Sequence, residues 1–230
     1  MTTRRLFIQK ASLGAASIVF SAKSYSRIVG ANDRVRVGIV GYSDRFRGAL
    51  SPSFLSLAKE MNFEFAALSD IWRLRREEAD AFYKAAGINL RLARNNQELY
   101  EKSDTDAVII STADFQHALH CAEAVNAGRD AYVEKPFAET MADARVARQA
   151  VEKTGKIVQI GSQRRSAPNY IAANEYIKSG KFGKIVIVEM SWNVNQPGRW
   201  RRPGEVPKLR EADTDWTRYQ LNRPKATFDP

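Results

Sequence analysis

Between residues 35 and 160, six short apolar runs, most of them rich in β-branched residues, recur with helix-like stretches between them. This alternation limits the fold more than any other feature. The runs are Val35 to Val40, Phe63 to Leu68, Leu90 to Ala93, Asp106 to Thr112, Ala131 to Val133 and Ile157 to Ile160. Between them, Ala49 to Met61, Arg73 to Ala86, Asn95 to Lys102, Gln116 to Ala127 and Met141 to Lys153 read as helices, and Gly128 and Gly155 stop the last two. Short connections and strict strand-helix alternation predict an α/β chain with a doubly wound parallel sheet of Rossmann type. After Gly161 the pattern changes. A helix over Asn169 to Ser179 leads into an alternating strand over Lys184 to Asn193, the expected start of an incomplete α+β substrate domain. Asn195 to Pro230, rich in Pro, Arg, Trp and Asp, reads as an irregular excursion. The expected organisation is therefore 1–31, 32–161 and 162–230.

The first 31 residues read as a targeting peptide. Arg4-Arg5 precede an uncharged run from Ala11 to Phe20, and Val29-Gly30-Ala31 offers small residues for cleavage. This order is that of a twin-arginine export signal and predicts a periplasmic or exported protein. The run is too short to span ~30 Å of hydrocarbon, which takes about 20 residues, so no stable membrane anchor is expected. The segment also explains the charge. The formal +10 falls to 31 basic against 26 acidic residues without it, a balance that needs no nucleic acid partner. Cys121 is the one cysteine, which excludes an intrachain disulfide, and its helical context predicts core packing.

Candidate chemistry gathers at the carboxyl ends of the predicted strands, where open α/β sheets bind ligands. The first strand ends in Gly41-Tyr42-Ser43-Asp44-Arg45-Phe46. A dinucleotide fingerprint uses glycines for a tight turn and for close approach to pyrophosphate at a helix N-terminus. Gly41 keeps the first glycine, Ser43 and Phe46 replace the other two, and Asp44 must turn away from a phosphate. Asp70, ending the second strand, is placed either to accept from an adenosine ribose or to cap a helix, and Arg73, Arg75 and Arg76 keep a 2′-phosphate open. Thr112 and His117 follow the fourth strand. Glu134-Lys135-Pro136 ends the fifth, with Pro136 restricting the backbone of Lys135. His117 reads equally as a packing or capping histidine, and Gln163 as a cleft or linker residue.

Four separated stretches, namely the strand ending at Gly41, Thr112-x-Asp114-x-x-His117, Glu134-Lys135-Pro136 and Gly161-Ser162-Gln163-Arg164-Arg165, together resemble the Gfo/Idh/MocA family. This is the family of glucose-fructose oxidoreductase and inositol dehydrogenase, and the likeness is to its exported branch. The resemblance implies an NAD or NADP cofactor held by Gly41, Ser43, Arg45, Asp70, Thr112, His117, Glu134, Lys135, Pro136 and Gln163. It implies Lys135 as the catalytic lysine, no metal, and hydride transfer between nicotinamide and a sugar or polyol carbon. It further implies a homo-oligomer and a longer parent, whose substrate domain supplies an Asp and a His after the point where this chain stops. A glycoside hydrolase that oxidises its sugar transiently stays open as an alternative. So does a non-catalytic sugar-binding protein with a degenerate cofactor site.

Overall fold

The structure, a computed structural model, describes residues 34–195 and 202–230. The expected targeting peptide, 1–31, lies outside the described residues. The core of the fold is a six-stranded sheet in the order β3-β2-β1-β4-β5-β6. Its strands are β1 Val35–Val40, β2 Phe63–Ser69, β3 Arg91–Ala93, β4 Ala107–Ile110, β5 Asp130–Glu134 and β6 Val158–Gly161. Every pairing is parallel. The chain reverses its winding between β1 and β4, which opens a crevice at the carboxyl edge there.

Successive side chains along a strand point to opposite faces, and the core divides accordingly. Ile39, Phe65, Leu68 and Ile109 pack on one face with Phe46, Leu50, Ala79 and Tyr83, from α1 (Ser51–Leu57, with the turn before it) and α2 (Arg73–Ala85). Val40, Val108, Ile110 and Val133 pack on the other with Leu99, Ala118, Cys121 and Ala147. These belong to α3 (Asn96–Lys102), α4 (His117–Asn126) and α5 (Met141–Thr154). Burial pushes the Cys121 thiol up to about 11, as suits a core side chain. Local chemistry sets the helix ends. Asn95 and Thr140 accept the Glu98 and Asp143 N–H groups at 3.0 and 3.1 Å, and Gly155 ends α5 at φ 67°.

The first helix departs from expectation. Sequence spacing starts it at Ala49, yet residues 44–45 are already helical and Phe46–Leu50 forms a π segment running into α1. Pro52 is the physical reason. It has no N–H to give to the Gly48 carbonyl and its ring crowds that carbonyl, so the ladder shifts by one and the Ser51 N–H bonds to Phe46 O. Phe46, standing where a third glycine is usual, is fully buried and meets Phe65 edge-on at 6.0 Å.

Beyond β6, α6 (Pro168–Lys178) lies on the surface. The strand expected over Lys184 to Asn193 forms no ladder, because it has no neighbouring strand among the described residues. Met190 and Trp192 are 92% and 86% exposed. The excursion instead returns to the sheet. Residues 202–230 form a strap of two 3-10 turns and α7 (Trp216–Gln220) along the carboxyl edge. Thr214 bridges Trp72 in antiparallel sense, the Asp215 N–H bonds to Ile71 O at 3.0 Å, and Gln116 Nε2 donates to Tyr219 O at 2.7 Å.

Phe46→Ala is expected to cost about 3–5 kcal/mol in urea denaturation, because the cavity beneath α1 cannot collapse onto a β-sheet floor. A loss below about 1 kcal/mol would show that Phe46 does not hold α1 to the sheet.

Candidate functional site

The turn after β1 shows why the chain works with one fingerprint glycine. Gly41 sits at φ 87°, and a Cβ there would lie 2.7 Å from Thr112 Cγ2 and 2.9 Å from Ser111 O. Only glycine lets β1 turn this close to the tip of β4. Ser43 differs from a glycine without blocking the turn. Its hydroxyl pairs with Ser111 Oγ at 2.8 Å and accepts the Phe46 N–H at 3.1 Å, so it faces β4 and caps the new helix. Asp44, the acid expected to repel a phosphate, is ion-paired with Arg47, with Arg75 at 3.2 Å and with Arg202. The helix start thus keeps its positive character.

Asp70 ties the second strand to this turn. Its Oδ2 accepts the Tyr42 N–H at 2.8 Å and its Oδ1 accepts the Trp72 N–H at 2.9 Å, so it clasps the two turns and lines the cleft without capping α2, whose N-cap is Trp72. Burial pushes its carboxyl up, against the pull of those two N–H groups and of Arg75 and Arg76. The three following arginines are engaged internally. Arg73 holds Glu77 and Asp213, Arg75 holds Asp44, Glu78 and Glu205, and Arg76 donates to Asp70 O at 2.6 Å.

At the tip of β5, Glu134 is 2% exposed and its carboxylate is fully used. Oε1 accepts from Arg45 Nε at 2.5 Å and Oε2 from the Lys135 N–H at 2.6 Å. Gln163, just past β6, faces the Arg45 guanidinium, and the amide orientation that satisfies both groups sets its oxygen 2.8 and 3.2 Å from the two terminal nitrogens. Arg45 therefore joins the start of α1 to the tips of β5 and β6. The Lys135–Pro136 peptide is cis, and Pro136 O accepts from His117 Nδ1 at 2.7 Å. His117 is buried, and its Nε2 is buried with no partner among the described residues. Lys135 is exposed, and its ammonium makes no ion pair or hydrogen bond with the described residues.

A cavity of about 530 Å³ follows the carboxyl edge. Gly41, Ser43, Asp70 and Thr112 line it, while Arg45, His117, Glu134, Lys135, Pro136 and Gln163 form a second group at the β5 end. Strand spacing sets the scale, since three steps of ~4.8 Å from β2 to β5 make about 14 Å. An extended dinucleotide fits that edge. Gly41 leaves room for a pyrophosphate, and the Thr112 hydroxyl, buried and unpartnered, points to a missing hydrogen-bonding group. The strap forms the outer wall through Leu209, Trp216, Tyr219 and Leu221. Sequence reading missed these residues, and missed Asn96, His120 and Glu123 on the floor. Of these, only the His120-x-x-Glu123 spacing on one helix face left a signal.

The profile of the oxidoreductase family with an NAD-binding Rossmann fold, Gfo/Idh/MocA, matches residues 35–162, more than half of the chain. A dihydroxycyclohexadiene dehydrogenase of Comamonas testosteroni is 30% identical over 66% of this chain and 36% of its own length. An inositol 2-dehydrogenase of Salmonella typhimurium is 29% identical over 69% of this chain and 47% of its own. The chain thus spans about a third to a half of these relatives. Among solved structures, the WlbA dehydrogenase of Bordetella pertussis, in complex with NADH and UDP-GlcNAcA, superposes with a TM-score of 0.59. It is 21% identical, over 66% of this chain and 44% of that one. Myo-inositol 2-dehydrogenase of Lactobacillus plantarum gives a TM-score of 0.56 at 21% identity, over 66% and 43%. By the extent of the match and the fold it shares, the chain belongs to the Gfo/Idh/MocA family of NAD-binding oxidoreductases.

Proposed function

We propose that this chain carries the cofactor half of an NAD-dependent dehydrogenase that oxidises a sugar or polyol hydroxyl. The observation that carries the reading is the contrast at the tip of β5. Glu134 and Pro136 are locked by Arg45 and His117, while the Lys135 ammonium between them is exposed and, among the described residues, unpaired. A cation held on an immobile backbone at the edge of a dinucleotide cleft is placed to meet the oxygen of a bound alcohol. When NAD is bound, the nicotinamide ring accepts the hydride that leaves the carbinol carbon. Lys135 orients the hydroxyl, and its charge stabilises the negative charge that grows on that oxygen as its proton passes to the base that the family resemblance puts in the substrate domain. Gly41, Ser43, Asp70 and Thr112 would hold the adenosine and pyrophosphate.

NAD is favoured over NADP. Asp70 places a carboxylate where a ribose hydroxyl can donate and a 2′-phosphate is repelled, and the neighbouring arginines are committed to Asp44, Glu77, Glu78, Glu205 and Asp213. Export by the twin-arginine route belongs to the same reading and rests on Arg4-Arg5 and the uncharged run behind them. Assembly of the complete protein into a homo-oligomer rests on the family resemblance.

In the complete protein, Lys135→Ala is expected to lower kcat by about 100-fold or more, the scale of losing one charge-stabilising donor. NAD affinity by calorimetric titration should stay within about twofold. Turnover surviving the substitution would remove Lys135 from the mechanism. Titration of the unaltered protein with NAD and NADP should show NAD bound at least about tenfold more tightly, and equal affinities would overturn the assignment of Asp70.

A further inference from the structure

The family resemblance assigns Arg45 to the cofactor, whereas its contacts in the structure run to the tips of β5 and β6. Its Nε donates to Glu134 Oε1 at 2.5 Å, and its terminal nitrogens face Gln163. The other Glu134 oxygen accepts the Lys135 N–H at 2.6 Å, so one guanidinium and one backbone N–H satisfy a carboxylate that is 2% exposed. The chain offers a second cation within reach. An oxygen 2.6 Å from the Lys135 nitrogen lies inside the sweep of that residue's own four-carbon stem, and none of the described residues engages the Lys135 ammonium. Which cation Glu134 takes therefore decides where the ammonium goes.

The two cations are not equal competitors. A guanidinium is weakly hydrated and presents a planar fork, so it suits a buried carboxylate, while an ammonium gives up more water to enter. With Arg45 in place the ammonium stays in solvent. Without Arg45, Glu134 keeps a single N–H donor at a buried site, and an uncompensated charge there draws in the nearest cation. Tyr132, two residues back on β5, senses both charges: burial pushes its phenol up, Glu134 pushes it the same way and Arg45 pulls it back. We propose that Arg45 is a positioning residue for Lys135, which by saturating Glu134 keeps the lysine ammonium out of a pair with its own neighbour and free to meet the substrate oxygen. The assignment rests on the dehydrogenase reading above. It moves Arg45 from the residues that grip the cofactor to those that set the reacting edge, and it gives Glu134 the task of fixing the Lys135 backbone.

The test reads the ammonium directly, by brief acetic anhydride labelling of the full chain and mass spectrometry of the Lys135 peptide against exposed Lys59. In Arg45→Met, labelling of Lys135 relative to Lys59 is expected to fall about fivefold or more, because an ammonium paired with Glu134 is withdrawn from the reagent. Simple loosening of the site would raise labelling, so the direction separates capture from loss of structure. Adding Glu134→Gln to Arg45→Met should return labelling to within about twofold of the unaltered chain, since a neutral amide does not hold an ammonium as a carboxylate does. Unchanged or raised labelling in Arg45→Met would overturn the assignment. Glu134→Gln alone decides even if Arg45→Met does not fold: labelling should stay within about twofold, and a rise of about fivefold would show Glu134 holding the ammonium with Arg45 in place. Calorimetric titration with NAD separates the two roles of Arg45. The doubly substituted chain should bind NAD within about threefold of the unaltered chain, and a loss of about tenfold would return Arg45 to the cofactor. If the unaltered chain binds no NAD, the dehydrogenase reading falls, and the positioning role with it, whatever the labelling shows.

Discussion

A carboxylate buried at the tip of a strand is the interaction on which the functional edge of this protein depends. Glu134 has almost no contact with water, and an unpaired carboxylate there would cost several kcal/mol. Arg45 and the Lys135 N–H together satisfy both of its oxygens. Because Arg45 also reaches Gln163, one guanidinium joins three chain segments, and the position of each strand tip depends on the others. Arg45 is itself partly exposed, so the arrangement sits at the boundary of the core. The same geometry explains how a lysine can stand free beside a glutamate that does not claim it. Glu134 bonds the backbone N–H of Lys135, and its other oxygen belongs to Arg45.

The turn after β1 shows a second economy. A fingerprint with three glycines divides its work into a tight turn, close approach to the phosphates and close helix packing. Here the first task stays with Gly41, which no other residue can replace at φ 87° against Ser111 and Thr112. The Ser43 hydroxyl turns to β4 and becomes a cap, and Phe46 converts a close-packing position into a large core contact. Asp44 tests this account most sharply. An acid at a phosphate-binding turn is tolerable because Arg47, Arg75 and Arg202 surround it. Two of these partners lie far away in sequence.

That distance in sequence explains what could be read before the fold was known. Six strands and their alternation with helices were legible because each is a short apolar run bounded by a helix of clear period, and period survives without knowledge of tertiary contacts. Gly41, Asp70, Thr112 and Lys135 were legible because each ends a strand, and strand ends in a parallel sheet share one edge. The start of α1 was not, since Pro52 disturbs the helical ladder several residues upstream of itself. His117 was ambiguous for a different reason. Its place after β4 suits a cleft residue and a packing residue alike, and only the fold shows its Nδ1 held on the Pro136 carbonyl.

The strap was the least legible part, and physics says why. Residues 202–230 have no periodic hydrophobic pattern and only short helical turns, so nothing local assigns them to either domain. What places them is a set of long-range pairings: Thr214 with Trp72, Asp213 with Arg73, Glu205 with Arg75, Tyr219 with Gln116, and Asn222 with Asp143. Each pairing is weak alone, and exposed ion pairs contribute little. Spread along the whole edge from α2 to α5, however, they share the entropy cost of one ordered segment rather than each paying it separately. A segment held this way is ordered by the domain it covers. Two of the arginines that follow Asp70, Arg73 and Arg75, are part of that hold, through Asp213 and Glu205. The turn that carries Asp44 and the strap are thus joined through Arg75, which pairs with Asp44 and Glu205 alike.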